Sequence, residues 1–262
     1  MKTIAQTTFY LLLLLIAPIS YGKDVITIRA GNFAPNYFKD KAGNWTGVDI
    51  ELGRALVKEA GYTPKIVNLP WSRALNYAKE GKVDILVNAS LNKDRLDHFY
   101  WIGPERLITM SLITKEFNQH LDIKKFDDFT KICKEMGTPF AYQQDVNYPI
   151  EFTNKLKNDI NFEDCFAKAI RPDLILKMLS KNLILGYFDE KMAIEYYKNN
   201  DPNYSDIIVH PFVLSEEPVF FAVSKKSVDI TTANKLYEAY YNLWKNGKID
   251  EITEKWSKIS SK

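Results

Sequence analysis

Between Val25 and Val87 three strand-length apolar segments alternate with two amphipathic helical ones, and this order narrows the fold more than any other feature. The segments "VITIRA" (25–30), "PKIVNL" (64–69) and "VDILV" (83–87) read as strands. "TGVDIELGRALVKEAGY" (46–62) puts Val48, Leu52, Leu56 and Val57 at helical spacing, with Thr46 or Asp49 to start the helix and Gly61 to stop it. "PWSRALNYAKEG" (70–81) carries Pro in its first turn and Gly81 past its end. Strand, helix, strand, helix, strand demands crossover connections, and so predicts an α/β fold with mostly parallel sheets.

A second unit of the same kind follows. After "YWIGPE" comes a long strand, "RLITMSLITK" (106–115). Residues 123–137 read as a helix, 138–143 as a strand, and 148–158 as a helix. "RPDLILKMLSKN" is a helix with Pro172 near its first position, "LILGYF" (183–188) a buried strand, and "DEKMAIEYYKNN" a helix that Asp189 could cap. "SDIIVHPF" and "PVFFAVSK" are two further strands, and residues 227–247 and 248–256 close the chain as helices. Strands, rather than Gly/Ser-rich linkers, connect the two units. A chain that leaves one lobe on a strand and returns on another makes a two-strand hinge. Ligands of such proteins sit between the lobes, at the C-terminal ends of parallel strands.

The start of the chain predicts export. A short basic start (Met1 to Thr3) precedes the apolar run Phe9 to Ser20, and Ser20-Tyr21-Gly22 offers a cleavage site before Lys23. The run is shorter than the ~20 residues a spanning helix needs, so residues 1–22 read as a signal peptide and the mature chain is not expected to insert in a membrane. With 35 basic against 33 acidic residues, nothing suggests a nucleic-acid surface, which needs a concentrated basic patch. His98, His120 and His210 lack the short spacings of a metal site, and no cofactor is implied. In an exported chain Cys133 and Cys165 are expected to form a disulfide, two buried thiols being the alternative.

The stretch "VDILVNASLNKDR" (83–95) concentrates the chemistry. Polar groups beyond the end of an apolar parallel strand face a cleft rather than a core. Asn88 and Ser90 can donate hydrogen bonds there, and Arg95, on the first turn of a helix beginning at Asn92, can offer its fork to a carboxylate. A helix N-terminus would add a favourable dipole for the same anion. The competing reading pairs Arg95 with Asp94 or Asp97 on the surface. Phe33, Tyr37 and Trp71 each follow the end of a first-lobe strand and are candidate cleft walls, with core packing as the alternative. Trp101 is a weaker candidate, and Arg73 is either a second anion contact or structural.

Four stretches resemble one family. "GNWTGVDIELGRALVKEAGY", "PWSRALNYAKEGKVDI", "NASLNKDR" and "YEAYYNLWKNGKIDEITEKW" are similar, in order and spacing, to motifs of the bacterial solute-binding proteins of family 3, which serve ABC transporters. The resemblance implies a two-lobed periplasmic binding protein fold of type II-like topology. Lobe 1 would comprise 23–112 and 216–262, and lobe 2 would comprise 113–215. It implies that Arg95 holds an α-carboxylate, that Ser90 assists it, and that Asp189 accepts the ligand ammonium, a role compatible with helix capping. It also implies a monomer that captures a small polar, amino-acid-like solute in the periplasm and delivers it to a permease. Two departures stand out. Asn92 replaces the family's usual Thr, and Asp145 and Val146 stand where a Gly-Thr pair contacts the carboxylate. They open the ligand to a different carboxylate-bearing or cationic solute. The alternatives are a sensory binder and a dehydratase of the cyclohexadienyl kind, with Glu105 or Glu190 as acid or base. The sequence offers no paired carboxylates, Ser-His-Asp order or nucleophile elbow for an enzyme.

Overall fold

A computed structural model describes residues 24–144, 146–169 and 172–260. The expected signal peptide and Asp145 lie outside them. The chain runs β1 (Val25–Ala30), β2 (Phe38–Lys39), β3 (Trp45–Thr46), α1 (Val48–Glu59), β4 (Thr63–Asn68), α2 (Trp71–Lys79) and β5 (Ile85–Ser90) before the long β6 (Phe99–Lys115). Next come α3 (Phe126–Met136), β7 (Phe140–Gln143), α4 (Ile150–Asn158), the single turn α5 (Ile160–Glu163) and β8 (Phe166–Ala169). The rest is α6 (Pro172–Ser180), β9 (Gly186–Glu190), α7 (Lys191–Asn200), the long β10 (Ile207–Ser224), α8 (Ile230–Lys245) and α9 (Lys248–Ser260).

Hydrogen bonding joins eight strands in the order β4-β1-β5-β10-β6-β9-β7-β8. The outer pairs are parallel: β1 with β4 and β5, and β7 with β8 and β9. In the middle, β6 and β10 run antiparallel to each other, β10 to β5 and β6 to β9. The sheet therefore has two parallel halves bridged by two long strands. Over the first half, Ile26, Ile28, Leu56, Val87 and Val223 share a core with Leu236, Ala239, Ile252 and Trp256, so the two C-terminal helices return to the half where the chain began. The second half is built on aromatic residues, with Phe129, Phe140, Phe152, Phe162, Phe166 and Phe188 in one cluster. α6 and α7 pack a smaller core on its other side through Leu176, Leu179 and Ile194.

The structure corrects the sequence reading at several points. "YWIGPE" belongs to β6, and the two strands expected around "VLSE" are one, β10. Each long strand gives the other a partner for backbone groups that would otherwise be bare. The register slips between Val209 and Val213, which accommodates Pro211, a residue with no N–H to give. Strand β9 begins at Gly186 rather than Leu183, and Gly186 lies so close to β6 that a Cβ would come within 2.5 Å of the Ile113 carbonyl. β8 was not anticipated: it is four residues long, at the sheet edge, with no alternating pattern. The helix expected at Asn92 is a 3-10 turn over Lys93–Arg95, too short for a dipole to favour an anion, and the Asn92 side chain does not cap it. Nor does Asp189 cap α7, whose N-cap is Glu190.

Cys133 and Cys165 are disulfide-bonded, with Cα atoms 5.8 Å apart, and tie α3 to the start of β8. The bridge spans 32 residues of sequence. Replacing both by alanine is expected to lower stability by about 2–4 kcal/mol in urea denaturation. A change below about 0.5 kcal/mol would mean that the bridge constrains little of the unfolded chain.

Candidate functional site

Gly47 fixes where the site can form. It adopts φ 119°, and a Cβ there would lie 2.4 Å from the Asn36 carbonyl. With no side chain in the way, the loop after β1 crosses the start of α1, and the Pro35 and Asn36 carbonyls accept from Val48 and Asp49 N–H at 2.9 and 3.0 Å. That crossing brings Asn36 and Asp49 beside the end of β5. There Asn88 takes φ 54°, a left-handed conformation that Asn tolerates better than most residues. Its N–H donates to Glu105 at 2.8 Å and its Nδ2 to Asp49 at 3.0 Å.

Beneath them lies a buried ionic cluster. Arg106 Nε donates to Asp49 Oδ1 at 2.8 Å, and its two terminal nitrogens hold the two Glu190 carboxylate oxygens. Asn36 Nδ2 donates to Glu190 Oε2 at 2.7 Å. Burial disfavours charge on Arg106, but Asp49 and Glu190 outweigh it and hold the guanidinium well above its ordinary value. Glu105 is pushed well above the carboxylate range, first by burial and then by Asp49.

Above the cluster is a cavity of about 160 Å³. Phe33, Tyr37, Trp71, Asn88, Ser90 and Arg95 line it from the first half, and Asp189 from the second. Seven of the eight residues singled out from sequence thus share one cavity. The eighth, Arg73, is exposed on α2 outside that lining. Trp101 packs against Phe99 and Phe220 instead. Among the described residues Arg95 is in no ion pair with Asp94 or Asp97. Its Nη1 donates to the Ser90 carbonyl at 3.1 Å, and the guanidinium lies 5.7 Å from the Trp71 ring centre. Arg29, which the sequence did not single out, wedges against the Tyr37 and Trp71 rings at 4.5 and 5.4 Å and donates to the Leu69 carbonyl.

Asp189 keeps part of its surface open to the cleft but sits deep among protein atoms. That desolvation raises its pKa to about 7, against the opposing pull of the Glu190 N–H, which donates to it at 2.7 Å. The other walls escaped the sequence reading. Ile108, Met110, Ser215 and Glu217 come from the two long strands, and Gln143, Asn147, Tyr148 and Phe188 from the second half. Of the remaining lining residues, the sequence marks Val146, in the "QQDVNY" loop, by its place in a motif, and Glu190 as a candidate acid or base. A cleft residue on a strand that also crosses between halves has the same apolar or mixed neighbours as a core residue, so periodicity does not separate the two.

The model of the bacterial extracellular solute-binding proteins, family 3, matches residues 25–259. An arginine-binding extracellular protein of Bacillus subtilis is 21% identical over 235 residues, covering 89% of this chain and 86% of the relative. A probable amino-acid ABC transporter-binding protein of Haemophilus influenzae is also 21% identical over 235 residues, covering 89% and 84%. The solved structure of an amino-acid ABC transporter substrate-binding protein from Streptococcus pneumoniae, bound to L-arginine, superimposes with a TM-score of 0.73 at 18% identity, covering 92% of this chain and 97% of that one.

Proposed function

The chain belongs to the bacterial extracellular solute-binding proteins of family 3, and from that premise we propose that it captures an amino acid, or a closely related carboxylate-bearing solute, between two hinged lobes. In this reading lobe 1 is 23–112 with 216–262 and lobe 2 is 113–215. Residues 1–22 direct export to the periplasm, and the loaded monomer delivers its solute to an ABC permease. Among the described residues no helix is long and apolar enough to cross a membrane.

One observation carries the reading: an arginine outside any described ion pair and an acid of raised pKa line the same cavity from opposite halves of the sheet. A zwitterion supplies the partner each lacks. The carboxylate would meet Arg95 with Ser90 and Asn88, the ammonium would meet Asp189, and Phe33, Tyr37 and Trp71 would cover the carbon skeleton. A charge buried on closure needs such a partner, and a ligand that touches both lobes adds to the stability of the closed state. Glu190, also in the lining, is held by Arg106, and Glu217 adds a further acid beside Asp189, which favours a ligand whose side chain is neutral or cationic. An enzyme reading has less support, because Glu105 is fully buried outside the lining and Glu190 is engaged by Arg106 and Asn36.

A thermal-shift screen of the twenty L-amino acids tests this. A ligand at a hundred times its dissociation constant stabilises by about 2.7 kcal/mol, a rise of roughly 5–10 °C for a chain of this size. No shift with any of them would reject an amino acid as the ligand. The pH dependence is a sharper check. The ammonium binds the ionised form of Asp189, so below pH 7 binding must also displace a proton. The affinity of the amino acid giving the largest shift is expected to fall about tenfold per pH unit below 7 and to level off above it. Asp189→Asn should bind more weakly and lose that slope, as read by calorimetry from pH 5 to 8.

A further inference from the structure

Leu107, Ile108 and Thr109 of β6 pair with Pro218, Glu217 and Glu216 of β10. Among the described residues no outer strand reaches this stretch: β5 meets β10 only from Val219 onward, and β9 meets β6 only from Met110 onward. The halves are thus joined here by a bare two-stranded ribbon. Bending concentrates where a sheet is narrowest, so the ribbon is the natural hinge.

An ion pair spans this ribbon. Arg106 is the residue before it, and Glu190 is paired in register with Met110, the residue after it. Arg106 is anchored on the first half by Asp49 and grips both oxygens of Glu190 from the second, while Asn36 of the first half holds Glu190 as well. All four side chains are buried. α7, which follows Glu190, continues the contact. Tyr196 meets the Phe38 ring at 5.5 Å, and Asn199 Nδ2 donates to the Ser260 carbonyl at 2.6 Å.

We propose that Arg106, Glu190 and Asn36 form a clasp across the hinge that holds the two halves together before any solute binds. Arg106 and Asn36 then set the open–closed balance of the cleft although neither lines it. The inference rests on the reading of the halves as hinged lobes. Separating Arg106 from Glu190 leaves two buried charges short of a partner, so opening is opposed at the pivot itself. A cleft held closed in advance loses less affinity to the population of open molecules.

The test needs no ligand. Leu91→Cys and Ile150→Cys place spin labels at exposed positions beside Ser90 and Tyr148, on the two rims of the cavity. Cys133 and Cys165, being bonded, stay silent. Electron-electron double resonance of the solute-free protein is expected to give one short distance. Arg106→Lys, which keeps the charge but loses the fork, and Asn36→Ser, which removes one hydrogen bond, should each raise a longer distance from under about 10% of molecules to a majority. Circular dichroism identifies folded variants, and Asn36→Ser carries the test if Arg106→Lys fails to fold. An unchanged distance distribution in a folded variant overturns the clasp, and so does a native protein that is already mostly open. Variants that open, alongside an amino-acid screen with no shift, would uphold the clasp and reject the ligand reading alone.

Discussion

Arg95→Ala is expected to weaken amino-acid binding by roughly 30-fold to several thousand-fold, the 2–5 kcal/mol lost when one partner of a desolvated, hydrogen-bonded charge pair is truncated. The upper part of that range applies if the cleft closes dry over the ligand, because the carboxylate is then left facing the Ser90 and Asn88 donors with no countercharge. Free Arg95 already spends one donor on the Ser90 carbonyl and rests against Trp71, so it is held near its working position rather than ordered by the ligand. That pre-organisation lowers the cost of binding. Arg95→Lys should recover only part of the affinity, since an ammonium cannot reproduce a bidentate fork. Titration calorimetry with the amino acid chosen by thermal shift decides the matter. A loss of threefold or less for Arg95→Ala would remove this residue from the site. Arg73→Ala, on an exposed residue outside the lining, serves as the control and should leave affinity unchanged.

Phe129→Ala should destabilise the protein by about 3–5 kcal/mol, lowering the melting temperature by roughly 6–20 °C for a chain of this size. Phe129 is fully buried at the centre of the second-half core. Its ring centre lies 4.8 Å from Phe140, 5.1 Å from Phe212, and 5.6 Å from both Phe166 and Phe188. Removing it opens a void bounded by rings on four separate strands, β7, β8, β9 and β10, which cannot all move inward without breaking sheet register. The cavity should therefore stay largely open. Phe188 also lines the proposed binding cavity and precedes Asp189, so the same variant should lower amino-acid affinity, by a smaller factor than Arg95→Ala. A urea-denaturation loss below about 1 kcal/mol would show that the core collapses around the gap.

Much of the cavity was legible in the sequence, for a local reason. Phe33, Tyr37, Trp71, Asn88 and Ser90 lie at or just beyond the ends of parallel strands, and the chain order of a parallel sheet puts all such ends on one edge. The residues that escaped are of a different kind. Ile108, Met110, Ser215 and Glu217 sit within long strands, where neighbouring residues give no sign of which half the next side chain will face. Arg29 reads as one charged residue in a strand, and only the positions of Tyr37 and Trp71 turn it into a support for the cavity wall.

What the sequence by itself determined is whatever depends on local pattern: the two α/β units, the strand connections between them, the polar exit of β5, and Arg95 beyond it. Periodicity, turn residues and strand direction act over a few neighbours, and they survive in a linear reading. Only the tertiary structure decided that "SDIIVHPF" and "PVFFAVSK" are one strand, because each half needs the other long strand as its hydrogen-bond partner. It alone decided that Arg106 and Glu190, 84 residues apart, meet beside the β6–β10 ribbon. An ion pair at that separation leaves no periodic trace. It exists because burial in the folded chain leaves each charge to be compensated by the charges packed beside it.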